Sequence, residues 1–212
     1  MEKYNEKITI LIVILFTTIY SILRYNILGN VEWSQLPLYV SNKIFSFTAV
    51  ILLSYMFSAK SIQKKKGLIV QQFSIIGYAI FFLIITHIFI SILILNPNYF
   101  SKFFQDSGHF TILASLSMFF GVISTVLLFS LTPFFRKTIQ EKSDLAKIIY
   151  SQFSKIFLMF FVALHLFFMG YKGWLTPEKW NGGLPPITLI SFAFVIISLI
   201  INFSYFKNHE KS

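Results

Sequence analysis

The chain contains no cysteine, which excludes disulfides, thiolate metal sites and iron–sulfur clusters together. Charge of either sign is scarce at 12% of residues, and acidic charge scarcest, with 8 Asp and Glu against 18 Lys and Arg. The net charge of +10 is not a nucleic-acid footprint, because the basic residues are divided among short loops between apolar runs. Long polar stretches, internal repeats and low-complexity tails are also missing, which leaves no room for a large extramembrane domain. What is abundant is hydrocarbon. The 212 residues are 56% hydrophobic, include 27 Phe and have a mean hydropathy of +0.72. Several apolar runs near the bilayer-spanning length identify an integral membrane protein.

Six spans are expected, at about 8–28, 38–59, 73–95, 111–135, 149–170 and 187–206. The fold class is thus an all-α six-transmembrane-helix bundle forming a single domain over 1–212. The breaks carry turn residues: Gly29-Asn30 with Pro37, Lys64-Lys65-Lys66-Gly67, Asn96-Pro97-Asn98, and Gly182-Gly183 with Pro185-Pro186. Pro133 falls near the end of helix four, where it does little harm. The first run is span-length and lacks a small-residue cleavage site, so it reads as a retained helix. Twelve basic residues fall on one side of these spans: Lys3, Lys7, Lys60, Lys64, Lys65, Lys66, Arg136, Lys137, Lys142, Lys147, Lys207 and Lys211. Four fall on the other, Arg24, Lys102, Lys172 and Lys179, while Lys43 and Lys155 lie within spans. That bias places both termini in the cytoplasm, and Trp33, Trp174 and Trp180 on the outer side as interfacial anchors.

Two histidines sit inside apolar helices: His87 in helix three and His165 in helix five. Ionisable groups at such depth are expensive and by default functional. Both helices run outward, and counting about 1.5 Å per residue from Phe73 and Ile149 puts the rings about 21 and 24 Å in, in the outer half of the bilayer. Facing imidazoles at one depth suit the two axial positions of one haem iron. Zinc suits the pair less well, for it takes three or four ligands and no carboxylate accompanies them at that depth. A bland alternative is a hydrogen bond from either ring to a helix carbonyl or to a nearby hydroxyl, such as Thr86 or Ser91 for His87. His109, in an outer loop, and His209, in the tail, read as solvated. Arg24 and Lys43 are candidate partners for haem propionates, with snorkelling the plainer role for Arg24. Gln152 reads as a helix-to-helix hydrogen bond before a quinone or flavin contact. Ser117, Gly121 and Ser124, at helical spacing, suggest close packing of helix four against a neighbour.

Gly77-Tyr78-Ala79 ahead of His87, a basic loop, and Ala163-Leu164-His165 in a later helix together resemble the ferric reductase-like transmembrane domain. The likeness covers about 38–205 and extends to Leu-Tyr-Val-Ser-Asn-Lys at 38–43 and Gly-Trp-Leu-Thr-Pro-Glu at 173–178. That superfamily includes ferric reductases, NADPH oxidases and the haem-binding membrane subunit of a methionine sulfoxide reductase system. The resemblance implies haem b held by His87 and His165, electron transfer in a bacterial inner membrane, and a periplasmic or membrane redox partner, with FMN or a quinone as further cofactor candidates. Two-haem members carry a second histidine pair nearer the cytoplasm. The matching positions here, near Phe73 or Ser74 and at Gln152, are not His, so a single outer haem is expected. No flavin or nicotinamide domain is fused to the sequence, so a transmembrane relay from NADPH is not expected. Two functions of different class stand at this point: a one-haem membrane cytochrome b, a candidate oxidoreductase subunit, and a haem-free scaffold, assembly subunit or small transporter. Helices three to five lack the paired interruptions that mark many transporters.

Overall fold

The computed structural model describes residues 2–68, 73–132 and 151–209. Among these the chain is helical and has no strand; one isolated bridge, Phe104 to Phe110, closes a loop. The long helices are α1 (Glu2–Ile22), α2 (Ser41–Lys65), α3 (Ser74–Leu93), α4 (Ile112–Ser130), α5 (Gln152–Trp174) and α6 (Ile187–His209). A π-turn over Leu23–Ile27 prolongs α1, and a 3-10 turn over Trp33–Gln35 and a π-turn over Leu36–Val40 lead into α2. All six spans are long and apolar enough to cross a membrane, so the all-α six-span expectation holds and the protein is multi-pass.

Helix starts follow from side-chain acceptors that satisfy the first free N–H groups. Thr111 accepts from Ala114 N at 3.2 Å for α4, and Ser151 accepts from Ser154 N at 3.3 Å for α5. The start of α3 is served from another helix: buried Glu6 of α1 accepts from Ile76 N at 2.9 Å. Three spans end later than hydropathy suggests, α2 at Lys65 rather than 59, α5 at Trp174 rather than 170 and α6 at His209 rather than 206. Apolarity marks the bilayer, whereas the helix continues through good helix formers such as Lys and Gln. Helix five also runs through Gly170 because α6 lies against it there: a Cβ on Gly170 would come within 2.4 Å of Thr188 Oγ1. The stretch with Pro133, Arg136, Lys137, Lys142 and Lys147, and so the expected end of helix four and start of helix five, lies outside the described residues.

The helices alternate in direction, so one end of the bundle gathers the segments 28–40, 94–111 and 175–186 (the loop end). The other gathers the start of α1 and the finish of α6 (the terminal end). All three tryptophans lie at the loop end. In the bundle α3 packs on α2, α2 on α6, α6 on α5 and α5 on α4, with α1 outside α2 and α3. This makes an arc whose two edges, α3 and α4, meet where Phe81 and Phe129 touch, 5.4 Å between ring centroids. Phe82, Phe89 and Ile92 on α3 and Phe119, Val122 and Val126 on α4 are exposed at helical spacing, the pattern of a lipid-facing stripe.

The apolar core is concentrated towards the terminal end. Leu52, Leu53 and Met56 of α2, Ile76 and Ile80 of α3, Leu128 of α4, Ile156 and Met159 of α5 and Val195 of α6 form one buried cluster. Beside it runs a polar joint. Asn202 Oδ1 accepts from Ser61 Oγ at 2.7 Å and Gln152 Nε2 at 2.8 Å, and its Nδ2 donates to the Ser198 carbonyl at 2.7 Å. Gln152 is thus the helix-to-helix bond expected of it. Replacing Asn202 with Leu strands the Ser61 and Gln152 donors, a cost of about 1–3 kcal/mol. The expected outcome is a fall of several degrees in the unfolding midpoint of the detergent-solubilised protein, followed by tryptophan fluorescence. An unaltered midpoint means the joint adds nothing.

Candidate functional site

From the starts of their helices the two intramembrane histidines are level. His87 is thirteen residues past Ser74 and His165 thirteen past Gln152, about 20 Å along each axis. Helices α3 and α5 do not pack broadly on one another; each is positioned by its own neighbours, α2 for α3 and α4 with α6 for α5. The rings are half-buried.

His87 is held through Nδ1. The ring nitrogen lies 2.7 Å from Asn42 Oδ1, 3.3 Å from the Asn42 carbonyl and 3.5 Å from Ser91 Oγ. Asn42 is itself buried and fixed, its Nδ2 donating to Ser91 Oγ at 2.9 Å. Both Asn42 oxygens only accept, so Nδ1 carries the proton and Nε2 is left with its lone pair. Ser91 therefore takes part, as the sequence suggests, but behind Asn42. Thr86 does not: its hydroxyl turns back to the Phe82 carbonyl of its own helix at 2.8 Å.

His165 is held in the same way by α4. Its Nδ1 lies 2.8 Å from the Ser117 carbonyl, and Ser117 Oγ donates to the His165 carbonyl at 3.1 Å. A carbonyl cannot donate, so here too Nδ1 bears the proton and Nε2 faces away. A mid-helix carbonyl is ordinarily shielded by the side chain one turn on. Here that residue is Gly121, and a Cβ on it would stand 2.9 Å from His165 Nδ1 and 3.2 Å from Cε1. The missing side chain uncovers the carbonyl and lets the imidazole lie against the backbone of α4. The Ser117-Gly121-Ser124 row is thus a packing stripe, as its spacing suggests, and the object packed on it is the histidine.

Neither Nε2 has a hydrogen-bond partner among the described residues. An Nδ1–H pinned to an acceptor, with Nε2 free, is the arrangement of metal-binding imidazoles, for the outer bond fixes ring orientation and raises basicity. Among the described residues no three or more of His, Asp and Glu cluster as a metal cage.

Cationic groups lie close by at the loop end. Lys43 follows Asn42 directly and is half-buried. Its ammonium lies over the rings of Tyr39, Phe100 and Tyr25, at 4.4, 5.3 and 5.5 Å from their centroids. Such contacts contribute roughly 0.5–2 kcal/mol and do not neutralise the charge. No carboxylate pairs with Lys43 among the described residues. Arg24 is buried and more committed: Nη1 donates to the Leu184 carbonyl, while Nε has no partner among the described residues. His109 is exposed; the side chain of His209 lies outside the described residues. Sequence reasoning did not single out Asn42 or the Ser117 carbonyl as anchors of the histidines, nor the tie of Lys102 to the Met169 carbonyl. A tie to a main-chain carbonyl leaves no mark on residue type, and Lys102 lies in a loop whose path spacing does not predict.

The chain matches no protein-family model and no curated protein.

The tautomers are open to direct measurement. In 15N-histidine spectra of the metal-free protein, both His87 and His165 are expected as Nδ1–H tautomers. Asn42→Leu removes the side-chain acceptor of His87 and is expected to shift that residue alone towards a mixture, leaving His165 unchanged. A wild-type His87 signal in Asn42→Leu would dismiss Asn42 as its anchor.

Proposed function

We propose that this protein is a one-haem membrane cytochrome of b type, resembling the ferric reductase-like transmembrane domain, that passes electrons to or from a partner reached at its loop end. One observation carries the reading: two imidazoles at one depth on neighbouring but unpacked helices, each fixed at Nδ1 and free at Nε2. The donor set fits haem, since His87 and His165 would each offer its iron one neutral imidazole nitrogen. When bound, haem supplies one-electron chemistry; the protein supplies ligation, orientation and field. His87 and His165 would hold the iron. Asn42 and Ser117 keep both rings in the ligating tautomer. Lys43, with the charge of Arg24 behind it, offers positive potential to carboxylates.

The filled core at the terminal end supports one haem rather than two. Where two-haem relatives would need a second ligand pair, Gln152 is bound to Asn202, and Phe73 and Ile76 are buried in hydrocarbon. The charge bias of the sequence supports an outward loop end, which would make the partner a periplasmic protein, a metal ion or a quinone on that side; the resemblance implies a bacterial plasma membrane.

Purified protein is expected to show the sharp reduced bands of bis-histidine haem and one haem per chain by pyridine haemochrome. His87→Ala and His165→Ala should each lose the bound spectrum, while His109→Ala and His209→Ala keep it. A colourless protein would favour a haem-free scaffold, and two haems per chain would require a second ligand pair. Orientation is tested separately. In a chain that has no native cysteine, Asp106→Cys is expected to be labelled by impermeant reagents in intact cells and Lys66→Cys only after lysis. The reverse pattern puts the loop end in the cytoplasm.

A further inference from the structure

The segment joining α3 to α4 is tied to the bundle on both sides of the histidine pair. On one side Tyr39, in the turn leading into α2, stacks on Tyr99 with centroids 6.0 Å apart and meets Phe100 at 6.0 Å. On the other side Lys102 Nζ donates to the Met169 carbonyl of α5 at 3.0 Å. Between these ties Phe100 stacks on buried Phe103 at 5.4 Å. Residues 99–103 therefore cross from the α2 side to α5 over the loop end of the bundle.

The ties place two ammonium groups in register with the two histidines. Lys43 adjoins Asn42, the anchor of His87. Lys102 is bound to the carbonyl of Met169, one helical turn beyond His165 on α5. The two ammonium groups sit on one stacked ring pair, Lys43 5.3 Å from the Phe100 centroid and Lys102 5.5 Å from that of Phe103, the rings themselves 5.4 Å apart. Neither has a carboxylate partner among the described residues. Like charges held together without a counter-ion repel, and the chain retains the pair beside a low-dielectric region where repulsion is weakly screened. Lys102 is exposed and uses one of its three N–H donors on Met169, so two are available. Arg24 is less available, one arm being bound to Leu184.

We propose that Lys102 and Lys43 act together as a clamp for the two carboxylates of one dianionic ligand, with Lys102, carried by the 94–111 segment, supplying the second contact. The ligand is then the haem, its two propionates one to each lysine, and this rests on the function proposed above. It makes the loop between α3 and α4 a working part of the binding site. It also assigns the two lysines a role that topology does not need.

The test compares haem b with its dimethyl ester, which has the same ring and iron but no propionate charge. Full-length protein in detergent is loaded with either pigment, and release to excess apomyoglobin is timed. In wild type the ester is expected to leave about tenfold faster than haem. Lys102→Met and Lys43→Met should each speed haem release several-fold and leave ester release unaltered, and Lys102→Arg should restore slow release. Lys102→Met should also lower the midpoint potential of bound haem, because loss of a nearby positive charge favours ferric iron. Equal acceleration of both pigments in Lys102→Met would mean a structural role only and overturn the clamp, as would wild-type release rates for haem in that variant. If wild type takes up neither pigment, the cytochrome reading itself fails and the clamp with it. Uptake that depends on His87 and His165 but is indifferent to both lysines sinks the clamp alone.

Discussion

A polar hydrogen without an acceptor costs several kcal/mol in hydrocarbon, more than most single packing contacts provide. Two imidazoles at mid-span impose that constraint twice, and much of the local architecture answers it. Helix α2 brings Asn42 to His87, and Asn42 needs Ser91 to hold its own amide. Helix α4 brings a bare stretch of backbone to His165, bare because residue 121 has no side chain. The ties differ in kind, a side-chain amide on one side and a main-chain carbonyl on the other, yet leave the same ring nitrogen free. Matching outcomes from unlike partners are hard to explain by the need for a hydrogen bond alone. A lone acceptor anywhere on either ring would have met that need.

Much of this was legible in the sequence because bilayer thermodynamics acts on composition. Six apolar runs give six helices, and counting along them sets the two histidines level, since rise per residue is fixed once a segment is helical. Helix ends were less legible. Lys60 to Lys65 and the glycines of α5 continue a helix that hydropathy ends early, because hydrogen bonding along the backbone does not stop at the edge of an apolar window. The partners of the histidines were legible only in part. Ser91 lies one turn from His87 and was within reach of local reasoning. Asn42 and Ser117 are brought in from other helices, by packing that no spacing rule encodes. The row of small residues in α4 could be read as a contact stripe, but not what it contacts. Lys102 was the least visible, since its placement depends on the path of a loop stacked on Tyr39.

The two ends of the bundle answer the membrane differently. At the terminal end polar atoms are paired with one another across helices, Ser61 and Gln152 with Asn202, and Glu6 with the start of α3. Such closed pairing rigidifies a joint and leaves little for a ligand to bind. At the loop end polar atoms are directed but not fully paired: Arg24 Nε and the ammonium groups of Lys43 and Lys102 keep N–H groups to spare, and the two imidazole Nε2 atoms keep their lone pairs. Closed pairing and open polar atoms are thus separated along the axis of the span, with the six helices common to both.

The cluster of Leu52, Ile76, Ile80, Leu128, Met159 and Val195 has an electrical meaning as well as a mechanical one. It is a plug of low-polarisability material lying between the level of the histidines and the terminal end, across about 20 Å of helix. Any charge held at the loop end would be coupled to water on that side and insulated on the other, as on one plate of a capacitor. A membrane potential would then fall largely across the plug, and the site above it would stay close to the potential of the solution it faces.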